Sequence, residues 1–228
     1  MFAAELLAVL TSVFLHRELS HRSVATCPAV ATTSRLIFRL YPGISGVEWA
    51  TVHQLHHRYT DGAGDPHSPA IFGRTKVLLF GPWLYRRTLR SGVIQLSPTE
   101  MSPLDRFIVR ARWPGRVVGA ALLAPWLGLA SAVASYVALI AVYSTIIGLT
   151  NAFAHPLGRR SPRSLMRRVA RGALSLVTAG EGSVAHHENH HKHPRTADFR
   201  EASRELDIAW MVTLAMSKVR LLKITDGR

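Results

Sequence analysis

VVGAALLAPWLGLASAVASYVALIAVYSTIIGLTNAFA, residues 117–154, contains no Asp, Glu, Lys or Arg. Laid out as one straight helix, 38 residues would run roughly 57 Å at about 1.5 Å each. The hydrocarbon core of a bilayer is only about 30 Å thick. The stretch is therefore expected to fold as a transmembrane hairpin of two spans, turning somewhere within residues 128–135. A buried helix pair in a soluble protein is the competing reading. It is disfavoured because soluble core helices usually keep one polar face. A hairpin returns the chain to the side it left. Of the 28 Lys and Arg, 14 lie at or before Arg116 and 14 at or after Arg159. Both basic halves then face one compartment, the cytosol by the positive-inside rule.

That distribution also explains the net charge of +14. Such an excess suggests nucleic acid when it forms one patch. Split around an apolar hairpin, it fits attraction to anionic lipid headgroups instead, and no nucleic-acid partner is expected. Cys27 is the only cysteine, so no disulfide framework exists. Residues 2–15 are apolar apart from Glu5 and a few small side chains, and are expected to form a partial transmembrane helix. No basic segment precedes them, so they do not read as a signal peptide. One domain is expected over residues 1–228. After the partial span come cytosolic and interfacial segments over residues 16–116, the hairpin over 117–154, and a further cytosolic part over 155–228.

Nine of the twelve histidines fall into four short clusters around the apolar stretch. His16 and His21 stand in HRELSH, and His53, His56 and His57 in HQLHH. His155 closes NAFAH, and His187, His190 and His191 stand in HENHH. Neutral imidazole is a common ligand of iron, zinc and copper. In HxxHH the rings sit at i, i+3 and i+4, at 0°, about −60° and about +40° around a helix. Three imidazoles then share one arc, and two facing triplets could hold two metals. The five-residue step from His16 to His21 is about 140° on an α-helix, which predicts that these two rings diverge and serve different metals. Asn151 and His155 share a helix face at the cytosolic end of the second span. Asn151 is expected to act through bound water. His67, His186 and His193 lie outside the motifs and are expected at the surface or behind the ligands, although His186 competes with His187 for the ligand role.

Metal-bound imidazoles need acceptors for their second ring nitrogen. Glu48, Asp61, Asp65, Glu181, Glu188 and Asp207 are the available carboxylates, and spacing alone does not rank them. Residues 23–40 suit an amphipathic segment at the membrane surface. Tyr41-Pro42-Gly43 should break it, and residues 61–66 should form a turn-rich loop. A helix is expected over Gly46–Tyr59. Another is expected over residues 206–222, with Ile208, Met211, Val212 and Ala215 on its packed face.

The clusters resemble the membrane fatty-acid desaturase family, which includes stearoyl-CoA desaturase and bacterial Δ9 acyl desaturases. HRELSHR (16–22) resembles the family's first histidine box. EWATVHQLHHRYTDGAGDPHSP (48–69) resembles the second box and the loop after it. NAFAH (151–155) matches an Asn-x-x-x-His element. GEG (180–182) followed by HENHHKHP (187–194) resembles the third box, and ELDIAWM (205–211) the closing helix of bacterial members. The resemblance implies an all-α integral membrane protein of helices, with a cytosolic helical cap holding a histidine-rich dimetal site above the hairpin. It implies two iron ions bound by His16, His21, His53, His56, His57, His155, His187, His190 and His191, with Asn151 through water. It implies a cis double bond, of Δ9 type, inserted into an acyl-CoA or acyl-lipid chain using O₂ and two electrons. Trp49 is a candidate substrate contact. The chain has no flavin- or cytochrome-like segment, so a separate ferredoxin, rubredoxin or cytochrome would supply electrons. Arg86, Arg87, Arg159 and Arg160 could attract such a carrier, or substrate phosphates. The expected location is a bacterial inner membrane, with the histidine boxes facing the cytosol.

This chain differs from the family pattern at three places. It is short at the N-terminus, where a first hairpin would stand. Three extra residues separate Gly182 from His187. Thr51-Val52 occupies the place of an Arg-Asp pair found in acyl-CoA members, leaving CoA, carrier-protein and lipid forms of the substrate open. A hydroxylase or ketolase acting on a lipid chain, or a truncated inactive member, are the alternative readings.

Overall fold

The computed structural model describes residues 1–96, 101–110, 112–154, 174, 176–178, 184–200 and 205–225. His155, the GEG stretch with Glu181, Pro98 and the basic stretch 159–171 lie outside them. The described chain is mostly helical: α1 (Phe2–Leu10), a π-helix (Thr11–Ser20), α2 (Pro28–Leu40), α3 (Gly46–Tyr59), α4 (Pro69–Phe72), α5 (Arg74–Arg90), α6 (Pro103–Arg110), α7 (Arg112–Ala121), α8 (Ala124–Leu127), α9 (Leu129–Phe153), α10 (Val184–Lys192) and α11 (Ile208–Lys218). Two short strands, β1 (Val24–Thr26) and β2 (Leu222–Ile224), qualify the all-α expectation. They pair antiparallel, with Ala25 opposite Lys223, and tie the C-terminal segment to the chain just past the first histidine box.

Among the described residues, α9 alone is long and apolar enough to cross a membrane. Its 25 residues give about 37 Å, enough for the bilayer core with some tilt. The expected first arm of the hairpin is instead two short helices, α7 and α8, separated by Leu122 and Leu123. The chain then turns at Gly128, which takes φ +73°, at the near edge of the expected turn region. Glycine adopts this left-handed geometry without a Cβ penalty. Pro125 sits in the first turn of α8, where the missing N–H costs no helix bond.

The core forms where α1 and the π-helix meet α2, α9 and α11. Val13, Phe14, Leu15, Phe38, Ile146 and Trp210 are buried there. Thr11 Oγ1 lies 2.8 Å from the Tyr143 hydroxyl, a buried polar link between the π-helix and α9. Lower on α9, the Tyr136 hydroxyl donates towards the carbonyls of Leu40 (3.1 Å) and Tyr41 (2.5 Å) at the end of α2. On α11 the packed face is Ala209, Trp210 and Thr213, whereas Met211 and Ala215 are exposed. The face expected from apolar spacing is thus met in part: Ile208 and Val212 pack against the core, while Met211 and Ala215 do not. Asp207 caps the helix, its Oδ1 accepting from Trp210 N–H at 2.8 Å. The helix also ends at Lys218, before the expected limit.

Helices α5 and α9 approach at Gly148. A Cβ there would lie 2.6 Å from the Leu78 carbonyl oxygen, a backbone atom that cannot swing aside. Gly148→Ala is therefore expected to destabilise the fold by about 1–3 kcal/mol through overpacking. Gly81→Ala, in open space on α5, should be neutral or stabilising. Thermal unfolding of the two variants in detergent checks this, and equal effects would reject the close-approach argument.

Candidate metal centre

The first box does not lie on an α-helix. Thr11–Ser20 is π-helical, closed by i→i+5 backbone hydrogen bonds; the last runs from His21 N–H to the His16 carbonyl at 3.1 Å. The wider π turn holds more residues than an α turn, so a five-residue step ends closer to the direction it started from than it would on an α-helix. His16 and His21 therefore come to the same side, with ring centroids 5.0 Å apart. The divergence expected from α-helical geometry is overturned, and the backbone hydrogen-bond register is the cause. Ser20 reinforces it, because its hydroxyl donates to the Leu15 carbonyl at 2.8 Å, also five residues back.

The two HxxHH triplets lie on α3 and α10, each within regular helix. They split in the same way. His53 and His57, the i and i+4 members of the α3 triplet, join His16, His21 and His190. The ligand nitrogens of these five residues all lie within 4.8 Å of one another. His187 and His191, the i and i+4 members of the α10 triplet, join His56 within the same limit. Each triplet thus gives its i/i+4 pair to one cluster and its i+3 ring to the other. Positions i+3 and i+4 are the two edges of the triplet's arc, about 100° apart around a helix, so adjacent rings reach neighbouring clusters. The clusters touch where His57 stacks on His191, with centroids 4.2 Å apart and planes 19° apart.

The donor chemistry fits a cation. Nε2 of His190 is 2.8 Å from that of His16 and 2.9 Å from that of His57. Nε2 of His53 is 3.0 Å from those of His21 and His57. A neutral imidazole nitrogen carries either a proton or a lone pair. Along this series of five nitrogens, at most two of the four contacts can be true hydrogen bonds. A metal at their centre would satisfy all five lone pairs. Burial, reinforced by the neighbouring histidines, pushes His53 and His190 well below the ordinary histidine range and His21 in the same direction. These rings are therefore neutral at pH 7, the form that binds metal. In the second cluster, His191 Nε2 is 3.0 Å from His187 Nε2 and 3.3 Å from His56 Nε2. All-imidazole donors suit iron, zinc, copper or nickel.

The remaining candidates divide. Asn151 is half-buried in the last turn of α9, and its expected partner His155 lies outside the described residues. His186 is buried but points to Glu205, 3.2 Å away, which removes it from competition with His187. His193 is exposed. Trp49 stacks on His53, with centroids 5.0 Å apart and planes 11° apart, so it buttresses the cluster from one side. His67 stacks on His56 at 4.5 Å. Of the carboxylates considered, Asp65 meets a clustered ring, at His56 Nδ1. Asp207 pairs with Arg17, Asp61 accepts from Ser68, and Glu188 pairs with Lys192 at the surface.

Two residues that spacing did not single out close the site. Phe199 is buried against the rings of His190 (4.5 Å) and His16 (5.2 Å). Arg17, inside the first box, lies over the Phe199 ring at 3.9 Å. Its guanidinium is fully buried. It donates to Asp207 Oδ2 (2.8 Å), the Ala197 carbonyl (2.8 Å) and Ser12 Oγ. A charged residue in a predicted ligand box was a signal, but one that fits a surface arginine equally well.

Two known proteins are similar to this chain in sequence. The chain is 24% identical to a hex-5-enoyl-[acyl-carrier protein] acetylenase from Moorena producens (strain JHB), over 92% of this chain and 70% of that protein. It is 26% identical to a delta-9 desaturase-like 2 protein from Arabidopsis thaliana, over 90% of this chain and 69% of that protein. The model of the fatty acid desaturase family matches residues 1–207, which takes in every histidine cluster described above. With that match running over most of its length, the chain belongs to the fatty acid desaturase family.

Proposed function

We propose that this protein is a membrane-bound, O₂-dependent acyl-chain desaturase with a di-iron site. The observation that carries the reading is the paired split of the two triplets, which builds two touching histidine clusters from α3, α10 and the π-helix. We assign His16, His21, His53, His57 and His190 to one iron and His56, His187 and His191 to the other. His155 and Asn151, the latter through water, are the further ligands of the pair. Bound there, the two irons would supply O₂ activation and removal of hydrogen from an unactivated C–H bond.

The chain's own residues do the rest. Trp49 and Phe199 hold the rings from two sides, and Phe199 with Arg17 shuts bulk water from the five-histidine cluster. Charge-free α9 brings the bilayer, and so an acyl chain, to the edge of the site. The run from α7 through α9 acts as the membrane hairpin of a single domain, its first arm bent at Leu122 and Leu123. The clusters face the cytosol, and the host membrane is a bacterial inner membrane. The overall reaction removes two hydrogens from the chain. Together with two electrons and two protons, these reduce O₂ to two waters. A ferredoxin, rubredoxin or cytochrome delivers the electrons.

The substrate is a fatty acyl group, as the hex-5-enoyl-[acyl-carrier protein] in the name of one relative and the delta-9 desaturase-like description of the other both suggest. A saturated chain gives a cis alkene, of Δ9 type. Fatty-acid analysis of a desaturase-deficient bacterial host expressing the chain tests this. Products lacking two hydrogens are expected. Products gaining one oxygen would instead establish a hydroxylase, and an unchanged profile with iron-loaded protein would reject turnover of acyl chains.

A further inference from the structure

His56 has a buried carboxylate behind it. Its Nε2 faces His191 of the second cluster at 3.3 Å, while its Nδ1 lies 2.9 Å from Asp65 Oδ2. Both side chains are buried, His56 at 1% and Asp65 at 0% exposure. An ionised carboxylate only accepts, so the proton of this contact sits on His56 Nδ1. That leaves the Nε2 lone pair aimed at the cluster. Asp65 is itself fixed by its loop. Asp61 N–H donates to Oδ2 at 2.9 Å and His67 N–H to Oδ1 at 3.0 Å. His190 offers the contrast: its Nδ1 is buried and has no hydrogen-bond partner among the described residues.

His56, Asp65 and His67 also lie close enough together to suggest a metal site of their own. The hydrogen bonds argue against it. Both Asp65 oxygens already accept from fixed donors, and His56 presents Nδ1, its protonated nitrogen, on that side. We infer that Asp65 is a positioning residue for the second metal: it locks the His56 tautomer and ring plane, so that the loop after α3 sets the metal affinity of the cluster on the helix. This rests on the dimetal reading above. A carboxylate behind a ligating imidazole fixes its orientation and raises its basicity, and losing one typically weakens metal binding about 10–100-fold.

Anaerobic Fe(II) titration of the purified full chain in nanodiscs tests the role. The parent protein is expected to bind in two steps. Asp65→Asn keeps the shape of the side chain, but its NH₂ group faces either His56 Nδ1–H or a loop N–H. It should weaken one step about 10–100-fold and leave the other unchanged. Ser68→Ala is the control, because the Ser68 hydroxyl donates to Asp61 at 2.6 Å within the same loop and does not touch His56. It should bind iron like the parent. Equal behaviour of the two variants would reduce Asp65 to a loop residue and overturn the inference, as would unchanged binding by Asp65→Asn. Should Asp65→Asn fail to fold, nitrogen NMR of the zinc-loaded, ¹⁵N-histidine parent decides, with the His56 signals assigned through His56→Gln. A protonated Nδ1 at His56 is expected, and an unprotonated one overturns the proposal. Absence of two-step binding in the parent would strike the dimetal reading itself. Two steps in the parent with no response to Asp65→Asn would strike only the role of Asp65.

Discussion

His190→Ala is expected to abolish turnover and to lower bound iron from about two to about one per chain, leaving membrane insertion intact. The prediction follows from its place in the five-histidine cluster. Its Nε2 makes two of the four short nitrogen contacts there, to His16 of the π-helix and His57 of α3. It is also the one ring that α10 contributes to that cluster. Without it, the remaining donors come from the π-helix and α3, and nothing on α10 bridges to them. Insertion should persist because α9, the apolar helix, lies elsewhere. His186→Ala is the matched comparison, four residues earlier on the same helix. Its ring is just as buried but faces Glu205, so iron content should stay at the parent level. Iron analysis of both purified variants after anaerobic loading gives the answer. Full iron retention by His190→Ala, or equal loss in both, would reject the division of α10 between the two clusters.

Much of this site was legible in the residues because metal chemistry limits the choice of side chain and helix periodicity limits the spacing. The triplets in HQLHH and HENHH could be read as convergent, and α3 begins and ends where expected. Their partition between two clusters was not legible. It depends on the facing of α3 and α10, which is a tertiary fact. The first box departs from α-helical expectation for a local reason: the backbone between Thr11 and Ser20 adopts the π register, which residue spacing does not reveal. Asp65 could be named but not ranked, since an Asp in a glycine-rich loop serves a turn equally well. The charge-free stretch 117–154 shows the same limit. Absence of charge marks apolar surroundings, but not where the helices divide: one long helix, α9, follows the Gly128 turn, and the residues before it form the short α7 and α8, separated by Leu122 and Leu123.

Replacing Arg17 by methionine should destabilise the protein by about 3–5 kcal/mol, because it leaves the buried Asp207 carboxylate without its cation. For a chain of this size that corresponds to a fall of roughly 6–20 °C in the unfolding midpoint. Both groups are fully buried, so water cannot replace the lost partner. Asp207 would keep the Trp210 N–H at 2.8 Å, which satisfies part of one oxygen and does not neutralise the charge. The double variant Arg17→Met, Asp207→Asn should recover much of the loss, since asparagine retains the helix cap and removes the stranded charge. The consequence reaches the metal centre through Phe199, which Arg17 holds at 3.9 Å against the rings of His16 and His190. With the arginine gone, the segment carrying Ala197 and Phe199 loses its anchor at the Ala197 carbonyl. Iron should then dissociate faster from the single variant, and the double variant should regain stability without regaining the parent's iron retention. Stability returns when the charge is removed, whereas retention needs the guanidinium against Phe199. Unfolding midpoints and chelator-driven iron release, measured on the same three proteins, separate these two roles. A stability loss below about 1 kcal/mol in Arg17→Met, the range of an exposed ion pair, would mean that the pair does not hold the C-terminal segment to the first box.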